Sequence, residues 1–337
     1  MISGLFRFLS VYGLPLLLLV LFVFFSLLLP ETFFKEYNIY SILSDKSVIA
    51  LLALAEMVPI ATGAFDLSIG WGIGLYHILT VGFIKAGIPW PVVVFVVLGV
   101  GIAVGTLIGL LVTRARIDPF IASLGVGTFL YGVALWYAPQ QIVTTIPPEL
   151  RSLVTIIDTG IRVPVIDMGI RIPLPFVYVV LVALVLWVMF ERLPLGRYLY
   201  MLGANQRAAE LIGISPRRYV VFAFQCSGVI TAFAGVVLGV KLGVAQTAIG
   251  PDFLLPAFAA VFLGSTTIRP GRVNVLGTLV AVFVIAVVSA GMAQLGAQFY
   301  VDPMFNGIML VASVGLAAYA ARRRARIRAA ADAAALG

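Results

Sequence analysis

Long apolar runs separated by short polar turns dominate this chain. They predict membrane-crossing helices over residues 11–29, 41–61, 68–84, 90–112, 117–138, 172–190, 219–242, 254–264, 273–295 and 301–320. A helix needs about 20 mostly apolar residues to cross a hydrocarbon core of roughly 30 Å. The run 254–264 is too short for that, so it reads as an extended or re-entrant crossing. The first run is expected to be retained rather than cleaved, because Leu29-Pro30-Glu31-Thr32-Phe33 offers no small-residue processing site after it. The expected fold is an all-α polytopic membrane protein with about ten transmembrane helices, some short or broken. Two hydrophilic stretches interrupt the pattern. Residues 139–171 alternate Ile and Val with Asp158, Arg162, Asp167 and Arg171, which predicts short strands or turns. Residues 191–218 are strongly basic.

Composition agrees with the pattern. Of 337 residues, 62% are hydrophobic and 11% charged, and the mean hydropathy is +1.13. Soluble domains carry about 25% charged residues, so a water-soluble globule is excluded, as are disordered, collagen-like and disulfide-framework classes. A single cysteine, Cys226, and a single histidine, His77, exclude an intrachain disulfide and the usual zinc sites, and no metal is expected. The net charge of +8 is a topology signal. With ten crossings and cytoplasmic termini, Arg7, Arg114, Arg116, Arg192, Arg197, Arg207, Arg217, Arg218, Arg269, Arg272 and the tail arginines 322–324, 326 and 328 all fall inside. Basic residues dispersed over several loops do not make a nucleic-acid surface, so no nucleic acid is expected as a partner. The chain thus divides into a single membrane domain, 1–320, with a cytoplasmic loop at 191–218 and an external loop at 139–171, followed by a basic cytoplasmic tail, 321–337.

Ionisable groups at membrane depth cost about 2.5–3.5 kcal/mol each on insertion scales, so they point to function. Asp66 follows a long apolar run and stands among Gly63, Ser68, Gly70, Gly72 and Gly74, a spacing that suits a broken helix. It can cap the helix that follows or serve transport directly. In a ten-crossing topology this turn lies near the inner face, which favours a structural or gating role. Glu56 can face a pore or pair with Lys46. His77 suits an interhelical hydrogen bond or a proton relay. Gln225, Gln246, Gln294 and Asn306 are hydrogen-bonding groups in or near spans, fit either for a polar solute path or for joining helices. The glycine turns around 63–74 and 264–277 suggest a weak parallel repeat.

The basic loop has helix punctuation. Asn205 is a good N-cap, Gly213 stands where a C′ glycine belongs, and Ala208, Ala209, Leu211 and Ile212 form one small apolar face. Such a helix is either a capped connector or an element that docks on a soluble partner.

Three ordered elements resemble one family. Gly203-Ala204-Asn205-Gln206-Arg207-Ala208-Ala209-Glu210-Leu211-Ile212-Gly213-Ile214 is similar to the cytoplasmic loop of bacterial ABC-importer permeases of the ribose/xylose/arabinose type. Gly63-Ala64-Phe65-Asp66-Leu67-Ser68-Ile69-Gly70 resembles that family's Gly-Gly-Ile-Asp-Leu-Ser-Val-Gly, departing at Ala64 and Phe65. The third is Ala259-Ala260-Val261-Phe262-Leu263-Gly264-Ser265-Thr266, with Gly271 and Gly277-Thr278 beyond. The resemblance implies a multi-pass permease subunit in a bacterial cytoplasmic membrane. Its partners would be a second permease copy or homologous chain, cytoplasmic ATPase subunits that hold ATP and Mg, and an external sugar-binding protein. It implies ATPase coupling through Gly203, Ala204, Asn205, Arg207, Ala208, Ala209, Glu210 and Gly213. Gly63, Phe65, Asp66, Ser68 and Gly70 of the matching element, together with the polar groups Glu56, His77, Gln225 and Asn306 in or near spans, are candidates for the pathway or its gate. No Gly-x4-Gly-Lys-Ser/Thr sequence occurs, so the chain has no P-loop for ATP and no cofactor or catalytic residue of its own is expected. The leading expectation is an importer subunit for a monosaccharide or similar small polyol. An ion-coupled secondary transporter using Glu56, Asp66 and His77 is the alternative.

Overall fold

The computed structural model describes residues 2–163 and 168–336. Five helices come first: α1 (Ile2–Leu28), α2 (Glu36–Ala61), α3 (Ser68–Lys85), α4 (Trp90–Thr113) and α5 (Pro119–Tyr137). A loop region follows, with β1 (Ile142–Val143), the one-turn helix α6 (Pro148–Ser152) and a hairpin of β2 (Ile156–Val163) and β3 (Met168–Pro173); Asp167 lies outside the described residues. Next are α7 (Leu174–Glu191), α8 (Pro194–Ala204), α9 (Gln206–Leu211) and α10 (Pro216–Leu242). The chain ends with β4 (Val244–Ala245), α11 (Pro251–Gly264), α12 (Val275–Gln294) and α13 (Val301–Leu336).

Among the described residues, seven helices are long and apolar enough to cross a membrane: α1, α4, α5, α7, α10, α12 and the first part of α13. The expected crossings 41–61 and 68–84 fold as α2 and α3 but are not among the seven, and α11 has only 14 residues. The reason is visible in the packing. α2 and α3 carry Asp45, Lys46, Glu56 and His77, and they are walled in by other helices: Leu51, Leu52, Ala53, Leu54 and Ile73 are all 0% exposed. Helices shielded from lipid can be less apolar.

Glycines set the closest approach. Gly101, Gly105 and Gly109 recur every fourth residue on α4 and lie on the backbone of α10 at Gly228, Phe224 and Val221; a Cβ on Gly109 would stand 2.7 Å from the Val221 Cα. α3 runs beside α10 in the same direction, with Gly72 near Thr231, Gly235 against Tyr76 and Gly239 against Thr80. In α1, Pro15 removes the amide that would bond the Val11 carbonyl. That carbonyl instead accepts from Thr267 Oγ1 at 2.7 Å and from the Ile268 amide at 3.2 Å, so the freed backbone oxygen is satisfied by the turn before α12.

Candidate functional site

α2 ends at Pro59–Ala61. Thr62 Oγ1 donates to the Pro59 carbonyl at 2.7 Å, and Gly63 takes a φ of +82°, the left-handed region open to glycine. The chain then rises without helix to Asp66, whose side chain is a three-way acceptor. Asp66 Oδ1 accepts from the Ser68 amide at 3.1 Å and from Ser68 Oγ at 2.5 Å, and Oδ2 accepts from Ser227 Oγ at 2.7 Å. The first bond holds the start of α3; the last ties the turn to α10. Ser227 is eleven residues into α10, about 16 Å along it at 1.5 Å per residue. Asp66 is therefore enclosed by the bundle, at 1% exposure, and the Gly63 end of the same turn meets Gly203 of α8.

Glu56 does not reach Lys46. It is 0% exposed, and its Oε1 accepts the Asp66 backbone amide at 3.1 Å, while Oε2 has no partner among the described residues. Ser123 of α5 closes the arrangement: its hydroxyl accepts from the Leu67 amide at 3.1 Å, and its one proton faces the Pro119 carbonyl of its own helix at 2.8 Å and the Phe65 carbonyl at 3.2 Å. The Phe65 ring is 38% exposed and packs on Phe258 and Phe262 of α11. Gly70 is filled from outside by Leu254. One turn thus joins α2, α3, α5, α10 and α11 through hydrogen bonds and rings. It can hold these helices in one arrangement, and its groups are hydrogen-bond acceptors and donors rather than a nucleophilic set.

The loop α8–α9 touches this turn directly. Gly203 lies so close to α2 that a Cβ there would strike the Ala61 carbonyl, and a Cβ on Gly63 would stand 3.4 Å from the Gly203 Cα. Asn205 Oδ1 accepts from the Ala208 amide at 3.0 Å, and Gly213 has φ +85°. Ala204, Arg207, Ala208 and Glu210 are exposed. The expected single apolar face is split. Ala209, at 1% exposure, turns inward onto Leu202 and Ile214, while Leu211 and Ile212 are 84% and 62% exposed. The cause is the reversal at Gly213, which folds Ile214 back under α9. α8 also reaches the turn before α12: Tyr200 donates to the Val273 carbonyl at 2.6 Å and the Arg272 guanidinium lies over its ring, while Arg269 of that turn pairs with Glu191 at the end of α7 at 2.5 Å. Burial, with Glu191 nearby, pushes the Tyr200 hydroxyl up to about 12, so it remains a donor across ordinary pH.

The other candidates lie elsewhere. His77 bonds the Val244 carbonyl through Nε2 at 2.9 Å and faces the Gly74 carbonyl through Nδ1. Gln225 donates to Thr106 Oγ1 at 2.9 Å, joining α10 to α4 beside an apolar groove. Asn306 is 7% exposed on α13. The contacts of Ser123 and Ser227 have no signal in the sequence, because small hydroxyls are common in spans, and those of Tyr200 and Asn274 have none because their partners lie on other segments of the chain. Asn274 caps α12 at Gly277 and binds the Gly264 and Thr267 carbonyls.

Residues 38–314 match the family model described as "Branched-chain amino acid transport system / permease component". The ribose import permease protein RbsC of Bacillus subtilis is 31% identical over 300 residues, covering 89% of this chain and 90% of the relative. The corresponding protein of Haemophilus influenzae is 30% identical over 299 residues, 88% of this chain and 90% of the relative. The D-allose transport system permease protein AlsC of Escherichia coli is 29% identical over 307 residues, 90% of each. No solved structure matches. With its bundle of apolar helices and a match over most of its length, the chain belongs to this family of transport-system permease components.

Proposed function

We propose that this chain is the multi-pass permease subunit of a bacterial ATP-driven, binding-protein-dependent importer for a monosaccharide or similar small polyol. The observation that carries the reading is similarity to ribose and allose permeases over 88–90% of the chain. The chain crosses the cytoplasmic membrane ten times in this reading, with α2, α3 and the 243–264 stretch completing the seven apolar helices and both termini inside. Two such chains, or this one and a homologue, enclose the path. An external binding protein delivers solute, and cytoplasmic ATPase subunits hold ATP and Mg.

Ala204, Asn205, Arg207, Ala208 and Glu210, with the projecting Leu211 and Ile212, meet the ATPase. Gly203 passes its movement to Gly63. Ala209 and Gly213 shape the loop. Asp66, Ser68, Glu56, Phe65 and Gly70 act as the gate, because one turn holds five helices together. His77, Gln225 and Asn306 have structural roles in this account. ATP-driven closure of the partner favours one of two helix packings, which is what alternating access requires.

The test is purification of the native complex followed by uptake in vesicles. ATPase subunits should co-purify, and uptake should stop on ATP depletion but survive a protonophore. Accumulation by this chain alone under a proton gradient would sink the proposal in favour of ion coupling.

A further inference from the structure

After α10 ends at Leu242, the chain does not cross back as a helix. Gly243 takes φ +65°, and β4 pairs antiparallel with β1, Val244 opposite Val143 and Ala245 opposite Ile142. An irregular stretch runs to Gly250, where α11 begins. This segment lies alongside α3. Val244 bonds His77, the Thr247 carbonyl and Gly250 lie against Gly74, and Gly250 meets the Gly70 carbonyl. α3 in turn follows α10 from Ser227 to Gly239, and Gly228 packs on Gly101, midway along α4. The irregular stretch therefore occupies the depth of the membrane from its middle into the half remote from α8 and α9.

Beyond the Ala245–Ile142 pair, no backbone hydrogen bond joins Gln246–Ile249 to another element among the described residues. Gln246, Ala248 and Asp252 are exposed, as is Gln141, which the strand register places opposite Gln246. Lipid tolerates neither half of this: irregular backbone at membrane depth occurs where protein covers it or water reaches it, and a carboxylate facing hydrocarbon costs several kcal/mol. Side-chain amides present donor and acceptor together, and a carboxylate accepts from two hydroxyls, so the groups suit vicinal hydroxyls of a neutral polyol.

We infer that the broken crossing Gly243–Gly264 lines a water-filled solute path, and that Gln246 and Asp252, with Gln141, hold the hydroxyls of a polyol there. The inference rests on the importer reading and adds the element and the side chains that touch solute.

The test uses the assembled complex in proteoliposomes, on a Cys226→Ser background. Gln246→Cys, Asp252→Cys and the lipid-facing control Phe95→Cys are each treated from outside with a charged, membrane-impermeant methanethiosulfonate. The first two should react at least tenfold faster than the control. In parallel, Gln246→Ala and Asp252→Ala are assayed with whichever of D-ribose, D-allose or D-galactose the wild-type complex accumulates. Uptake should fall about tenfold while binding-protein-stimulated ATP hydrolysis and thermal stability stay near wild type. Labelling no faster than the control, or unchanged uptake in both alanine variants, would overturn the inference. If wild type accumulates none of the three sugars while the Gln246→Cys and Asp252→Cys variants label fast, the sugar reading fails and the aqueous half-crossing stands.

Discussion

Asp66 can be tested by separating its charge from its hydrogen bonds. Asp66→Asn keeps one acceptor for Ser68, and its amide can donate to Ser227, so we expect a folded protein with most of its uptake. Asp66→Leu leaves the hydroxyls of Ser68 and Ser227 buried without their acceptor, each costing about 1–3 kcal/mol, and should lower the melting temperature and uptake together. Equal and complete loss of uptake in both variants, with normal melting, would assign the role to the charge. Asn205→Ala removes the cap of a six-residue helix, a loss of about 1 kcal/mol on a segment with little other support. ATP hydrolysis should then outrun uptake, measured as sugar moved per ATP. Asp66 is legible in the sequence because a carboxylate between glycines interrupts an apolar run. Asp252 is not, because Gly250-Pro251-Asp252 reads as an ordinary loop until the neighbouring helices fix its depth.

The apolar runs locate nearly every helix, since burial in lipid or protein demands the same uninterrupted hydrophobicity. What they do not reveal is which helices touch. The α4–α10 contact depends on glycine spacing, and here the expected cost is large: a side chain at Gly105 would enter the Phe224 backbone. Gly105→Leu should abolish folded protein on size-exclusion chromatography, whereas Gly99→Leu, where nothing lies within 4 Å of the added Cβ, should express normally. The short helix α9 is legible from Asn205 and Gly213. Its outward face is not, because the inward turn of Ala209 depends on Tyr198 and Tyr219 of the flanking helices.

The α8–α9 loop is attached to the bundle at two places. Through Gly203 it meets the end of α2, and through Tyr200 it meets Val273 and Arg272 in the turn before α12, the same turn that holds α1 at Val11. Replacing Gly203 by Val should push the loop off α2 while the second attachment survives. The expected phenotype is ATP hydrolysis near wild type with uptake down at least tenfold; normal uptake would show that motion does not pass through this contact. The contact has one further property. Gly203 and Gly63 meet main chain to main chain, with no side chain between them to change rotamer. A soft joint would absorb a displacement of an ångström or so in torsions. In the proposed coupling, a joint without rotamers passes a small shift of the α8–α9 loop to Gly63, three residues before Asp66, so the stroke that the proposed gate needs is correspondingly short.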